Sequence, residues 1–205
     1  MSSPQQSIAT LDLEGVLVPE SWVAVAERTG IDELRRTTRD EPDYDVLMRS
    51  RLDLLDRHGL TLDSIEEVIA TLAPLPGAAE FLAELRTRTQ VVILSDTFEE
   101  FARPLMAQLG WPTILCHRLE VTDGRISDYE LRMADPKRAA IHAFRSLNYR
   151  VVAAGDSYND ITMLLAADAG FLFHSPDNVR AEFPQLPAID TFDDLLSRLT
   201  AALAP

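Results

Sequence analysis

Ile8-Ala9-Thr10-Leu11-Asp12-Leu13-Glu14-Gly15-Val16 decides how the rest of the chain is read. A short apolar, β-compatible run ends in two carboxylates two residues apart, and the glycine that follows at once lets the backbone turn. Ligands of open parallel sheets sit beyond the carboxyl ends of the strands, so Asp12 and Glu14 are expected at the mouth of a sheet rather than in its core. Two further runs have the same form. Val91-Val92-Ile93-Leu94 leads into Ser95-Asp96-Thr97, and Val151-Val152-Ala153-Ala154 leads into Gly155-Asp156-Ser157-Tyr158-Asn159-Asp160. A lysine-bearing segment, Asp135-Pro136-Lys137-Arg138, lies between the second and third. Three strands that deliver polar groups at the same end, with a lysine close by, read as one site.

Outward from these runs, Trp22, Val25, Ala26 and Arg28-Thr29-Gly30 predict a helix from Ser21 closed by glycine. Ile31 to Leu72 is helical in pattern with breaks at Pro42 and Gly59, and no strand signal appears between Val18 and Pro74. Two consecutive strands of one parallel sheet do not need about 70 residues to connect, so most of this stretch must be an inserted unit. The expected division is an α/β core of residues 1–18 and 74–205 and a small helical cap of residues 19–73. Past the cap, a helix over Ala78 to Arg86 delivers the second strand, which Ser95 ends, and Thr97 to Leu109 is helical despite Pro104. Thr113 to His117 reads as a strand, and Arg118 to Arg132 alternates around Asp123-Gly124, a pair that favours a tight hairpin turn. Lys137 opens or precedes a helix over Ala139 to Leu147, and Asn159 to Ala167 is the next. Gly170 to Phe173 is a further strand, Pro176, Pro184 and Pro187 mark irregular chain, and Phe192 to Leu203 is a terminal amphipathic helix.

The chain has 205 residues, enough for one full core and one small appended unit. Its 46% hydrophobic and 25% charged residues describe an ordinary soluble globular protein. No run approaches the roughly 20 apolar residues needed to span a membrane. Met1 to Ser7 is polar, lacks the order of a secretory signal and is expected to be loosely attached, which points to the cytoplasm. The single cysteine, Cys116, agrees with a reducing compartment and reads as a small core hydrophobe. A formal charge of −14 argues against nucleic acid as a partner. A homodimer through exposed cap surface is compatible with this composition. The histidines, His58, His117, His142 and His174, are scattered, and none has a partner at metal-ligand spacing, so none is assigned a role.

One residue of the insertion stands out on its own. Arg51 has Leu47, Met48, Leu54 and Leu55 as its three- and four-residue neighbours, a cation on an apolar helical face. Two roles fit: a long stem covering that face with its head in water, or a guanidinium held over the site to grip a carboxylate at two points. The other candidates have ordinary readings as well: Asp156 as a helix cap, Ser95 as a turn residue, Lys137 as a surface partner of Asp135.

The ordered set Asp12-Leu13-Glu14-Gly15-Val16, Ser95, Lys137 and Gly155-Asp156-Ser157-Tyr158-Asn159-Asp160 resembles the haloacid dehalogenase superfamily of phosphoryl-transfer enzymes. Within it the chain is most similar to phosphoserine phosphatases, in particular the variant described as bifunctional, with homoserine phosphotransferase activity. The Asp-Leu-Glu-Gly-Val-Leu-Val-Pro-Glu and Leu-Ser-Asp-Thr-Phe segments carry that likeness. The resemblance implies a Rossmann-like parallel sheet with an inserted cap, and Asp12 as a nucleophile that forms an aspartyl phosphate. It implies Glu14 as acid and base, and Ser95 and Lys137 as partners of the phosphoryl oxygens. Magnesium would be held by Asp12, the backbone carbonyl of Glu14, Asp156 and Asp160, a hard-oxygen set. Such a cation, with Lys137 and arginines, would also let an anionic substrate approach an acidic protein. Arg51 would bind the substrate carboxylate and Glu20 its amino group, with Asp96 and Asn159 also at the substrate. Glu14 departs from the usual Asp-x-Asp, and Ser95-Asp96-Thr97 from the usual Ser-Gly-Gly. The leading expectation is a magnesium-dependent phosphatase for phosphoserine that also transfers to homoserine. A phosphatase for another small phosphomonoester, such as a nucleotide or sugar phosphate, is the alternative, and a non-catalytic binding module the third reading.

Overall fold

The computed structural model describes residues 5–37, 40–41 and 43–204; the break expected at Pro42 and the first four residues lie outside them. Strands β1 (Gln6–Leu11), β2 (Gln90–Phe98), β3 (Thr113–Thr122), β4 (Arg125–Glu130), β5 (Tyr149–Gly155), β6 (Ala169–Phe173) and β7 (Ala188–Ile189) form one sheet. Its order is β4-β3-β2-β1-β5-β6-β7, parallel throughout except for the β3–β4 hairpin. The chain is thus the α/β fold with a parallel core that its strand runs predict. Leu11 pairs with Ile93 on one side and Ala154 on the other, so Asp12, Ser95 and Asp156 lie at nearly one level across the central strands.

Side chains alternate along the central strands and feed two buried clusters. Ala9, Leu11, Ile93, Val152 and Ala154 belong to one, Ile8, Val92, Leu94, Val151 and Ala153 to the other. Helices cover both faces: α1 (Ser21–Thr29), α2 (Tyr44–Arg57), α3 (Leu62–Ile69), α4 (Ala78–Arg86), α5 (Glu99–Gln108), α6 (Pro136–Ser146), α7 (Ile161–Ala166), α8 (Asp177–Glu182) and α9 (Phe192–Leu203). Among the described residues of 19–73 there is no named strand. Helices α1, α2 and α3 fill that stretch with a short 3-10 turn at Asp32–Arg35. They do not stand apart from the sheet, because Val25, Leu54, Leu55, Ile65 and Ile69 lie in the same apolar cluster as Leu11, Leu13, Phe98 and Phe101. Entry to and exit from the stretch are tied together by the Leu75 N–H donating to the Leu17 carbonyl at 2.9 Å.

The ends of α2 and α3 follow local chemistry. Asp43 caps α2 by accepting from the backbone of Asp45 and Val46, and Thr61 with Ser64 forms a capping box on α3. The β3–β4 hairpin turns through Asp123 (φ 51°) and Gly124 (φ 74°), the left-handed pair a two-residue turn demands. Beyond that turn it braces the helices: Arg49 pairs with Asp128 at 2.7 Å, Tyr129 bonds Asp45, and the Leu62 N–H donates to the Gly124 carbonyl at 2.9 Å.

Several boundaries differ from expectation. Strand β1 ends at Leu11 rather than near Glu14, which makes only an isolated bridge to Val18. Strand β2 does not stop at Ser95; a register shift against β3 between Leu94 and Phe98 keeps Asp96, Thr97 and Phe98 extended. Helix α5 therefore begins at Glu99, with Glu99 and Glu100 in the first turn where the helix dipole favours acids. The proline-rich stretch is not all irregular, for Pro176 caps α8 and β7 follows Pro187. Among the described residues no helix is long and apolar enough to cross a membrane.

Candidate active site

Asp12 follows the last rung of β1, its N–H donating to the Ala154 carbonyl at 3.0 Å. Its side chain is buried, and Oδ1 accepts the Leu13 N–H at 2.7 Å. The turn beyond needs a residue with neither a side chain nor a negative φ. Gly15 holds φ +77°, and a Cβ there would lie 2.6 Å from Asp156 Cγ. Asp12, Asp156 and Asp160 are thereby brought together, each offering a carboxylate oxygen within 4.8 Å of the others. Asp160 is anchored from below: its Oδ2 accepts the N–H groups of Asp156 (2.9 Å) and Ser157 (3.2 Å). Its Oδ1 takes the Lys137 ammonium at 2.7 Å.

Lys137 is 2% exposed and carries the local positive charge, with Nζ also 3.1 Å from Asp12 Oδ1 and 3.3 Å from Asp96 Oδ2. Burial opposes its charge, but Asp12, Asp160 and Asp96 together outweigh that and hold its pKa well above the ordinary lysine value. Burial and the neighbouring Asp160 push Asp12 well above the carboxylate range against the pull of Lys137. A triad of hard oxygens whose mutual repulsion one ammonium only partly offsets fits a divalent cation. Such an ion acts on Asp12 in the direction opposite to burial.

A cavity of about 70 Å³ lies between the sheet mouth and helices α1 and α2. Asp12, Glu14, Ser95, Asp96, Asp156 and Asn159 line it from the strand ends, Glu20 and Arg51 from the helical stretch. Lys137 and Asp160 lie one contact deeper, against Asp12. Every candidate site residue from the sequence is therefore in one place. The Glu14 carboxylate is held by the first turn of α1, Oε1 accepting the Ser21 N–H at 3.0 Å. Ser95 Oγ accepts the Thr97 N–H at 3.2 Å and keeps its own proton to give.

Arg51 does not take the first of its two sequence roles, since its head does not reach water. The guanidinium is buried 4.6 Å over the Trp22 ring, donates from Nη2 to the Arg36 carbonyl at 2.8 Å and touches Met48 Sδ at 3.5 Å. Its Nε is buried without a hydrogen-bond partner. Burial pushes its pKa down to about 10, against the pull of Tyr44, Glu14 and Glu20, which leaves it cationic at neutral pH. An unpaired buried donor on a cation is costly unless an anionic group completes it.

Sequence reasoning missed Trp22, Thr37, Tyr44, Thr97 and Ser157, which also line the cavity, and His117, which stands behind it. Asp96 Oδ2 accepts Asn159 Nδ2 at 2.8 Å, its Oδ1 lies 3.6 Å from His117 Nε2, and its backbone carbonyl accepts the Tyr44 hydroxyl at 3.0 Å. Burial would raise Asp96, but Lys137, with His117 and Asn159, holds it well below the usual carboxylate range. Nothing local marks His117, a mid-strand residue whose place depends on how β3 pairs with β2.

Residues 7–168 match the family described as haloacid dehalogenase-like hydrolase. A Pseudomonas aeruginosa protein called phosphoserine phosphatase ThrH is 66% identical over 189 residues, covering 92% of each chain. A phosphoserine phosphatase of Pseudomonas syringae pv. tomato is 66% identical over 190 residues, covering 92% of this chain and 80% of its own. Among solved structures, a substrate-bound phosphoserine phosphatase complex has a TM-score of 0.79 at 21% identity, covering 96% of this chain and 99% of that one, a likeness of fold alone. By the span of the match and by these relatives, the chain belongs to the haloacid dehalogenase-like hydrolase family.

Proposed function

We propose that the protein is a magnesium-dependent phosphoserine phosphatase that passes the phosphoryl group through Asp12, and that homoserine competes with water for it. The observation that carries the substrate class is Arg51: a buried cation with an uncommitted Nε, lining the same small cavity as Asp12. Relatives that are 66% identical and carry the name phosphoserine phosphatase support the same reading.

In this reading residues 19–73 are a cap over a core of residues 1–18 and 74–205, and the protein works in the cytoplasm. Arg51 binds the substrate carboxylate and Glu20 its amino group. An Asp12 carboxylate oxygen attacks phosphorus, the bond from phosphorus to the serine oxygen breaks, and Glu14 gives that oxygen its proton. Glu14 then takes the proton of a water or of the homoserine hydroxyl. The new oxygen–phosphorus bond forms as the one to Asp12 breaks, releasing phosphate or phosphohomoserine and restoring Asp12. Ser95 donates to a phosphoryl oxygen, Lys137 balances charge on the group, and Asn159 and Asp96 border it. Magnesium, held by Asp12, Asp156, Asp160 and the Glu14 carbonyl, would supply further neutralisation of the phosphoryl oxygens when bound.

The test is a steady-state assay with magnesium and phosphoserine, with and without homoserine, following phosphate and phosphohomoserine separately. Phosphohomoserine that rises as phosphate falls is the expected result. Phosphate alone would remove the transfer half, and no turnover of phosphoserine would remove the substrate. Arg51→Ala is expected to raise KM for phosphoserine about 10- to 100-fold with little effect on acetyl phosphate, which has no carboxylate to grip.

A further inference from the structure

We infer that His117 and Asp96 form a positioning pair that holds Lys137 and Asn159 in place for phosphoryl transfer. This rests on phosphoryl chemistry at Asp12 as proposed above, and not on which phosphomonoester is the substrate.

Three carboxylates share the Lys137 ammonium, at 2.7 Å (Asp160), 3.1 Å (Asp12) and 3.3 Å (Asp96). Asp12 and Asp160 belong to the acidic triad, whereas Asp96 stands outside it. Removing Asp96 leaves Lys137 to those two alone, drawn toward the nucleophile and away from the phosphoryl oxygens. Asn159 loses its acceptor in the same step, because its Nδ2 donates to the oxygen that faces Lys137. The other oxygen, Oδ1, faces His117, 3% exposed on β3.

The ring's tautomer follows from the backbone. The Arg132 N–H donates to His117 Nδ1 at 3.1 Å, so Nδ1 carries the lone pair and Nε2 the hydrogen in the neutral ring. Nε2 faces Asp96 Oδ1 at 3.6 Å, so its hydrogen adds favourable charge there without competing for the oxygen that Lys137 and Asn159 share. One carboxylate thus ties together the end of β2, the middle of β3, the first turn of α6 and the loop before α7. A glycine after Ser95, the usual family residue, offers no such tie.

The experiment compares His117→Phe, which keeps a ring and loses the N–H, with His117→Gln, whose amide can restore it, and with Asp96→Asn. Single-turnover rates are read with magnesium and both phosphoserine and p-nitrophenyl phosphate, alongside thermal melting. His117→Phe and Asp96→Asn are expected to lower the rate of phosphoryl transfer about tenfold with KM nearly unchanged, and His117→Gln to recover most of it. Equal rates in all three variants and wild type, or losses that simply follow melting temperature with no rescue by glutamine, would overturn the pair. Turnover of p-nitrophenyl phosphate without phosphoserine would dismiss the substrate reading and leave this comparison intact. Nitrogen-15 chemical shifts of His117 give a readout that needs no turnover. A hydrogen on Nε2 is expected, and a hydrogen on Nδ1 would overturn the assignment.

Discussion

Gly15 and Asp96 show how single positions set the site. Because a Cβ at 15 would lie 2.6 Å from Asp156 Cγ at a φ of +77°, Gly15→Ala should destabilise the fold by about 2 kcal/mol or more; urea unfolding measures it. Unchanged stability would mean that Asp156 moves freely. Asp96 has a folded-state pKa below its unfolded value, because the charge of Lys137, with the nearby His117 ring and the Asn159 hydrogen bond, outweighs burial. Such a group contributes stability that is present above about pH 4 and lost as pH falls through the folded value. Asp96→Asn should therefore be less stable than wild type near neutrality and converge with it in acid, as denaturant midpoints across pH would report. The residues legible from sequence were those whose chemistry is local: Asp12, Glu14, Ser95 and Asp156 follow apolar strand runs, and Arg51 interrupts an apolar helical face. Trp22 and His117 were not legible, since one matters through a stacking partner 29 residues away and the other through strand pairing.

At the scale of elements, α2 carries both Arg51 and, two turns earlier, the tyrosine that docks the helix on the sheet. Burial and Asp96 push the Tyr44 hydroxyl far above its ordinary pKa, so it stays a donor to the Asp96 carbonyl over the working pH range. Tyr44→Phe removes that bond at a cost of about 1 kcal/mol and should raise KM for phosphoserine several-fold with a smaller change in kcat. An unchanged KM would show that the hairpin alone holds α2. Helices α1, α4 and α9 have the bounds their sequences predict, because Gly30 ends the first, Gly77 opens the second and Thr191 caps the third. Strand β2 outran its prediction because a register shift is a property of two strands, and α8 hid behind Pro176, which sits at its N-cap rather than inside it.

Across the whole molecule, the sheet brings a buried acidic triad to the mouth of an acidic protein. A cation that binds the folded state alone stabilises it by about 2.7 kcal/mol at a hundredfold excess over its Kd. Magnesium should accordingly raise the melting temperature, and Asp156→Asn should abolish the rise; an equal rise in that variant would put the metal elsewhere. The helical stretch between β1 and β2 was legible as a strandless gap, but its shared apolar cluster with the sheet was not, for nothing in the periodicity of α1, α2 and α3 says which surface their apolar faces meet. The bond between Leu75 and Leu17 bears finally on the order of folding. Strands β1 and β2 pair Ile8 with Gln90, a contact so distant along the chain that its closure entropy slows folding. Once the helices between them condense and their ends meet at Leu17 and Leu75, the effective loop is short, so amides of α2 and α3 should become protected from exchange before those of β1.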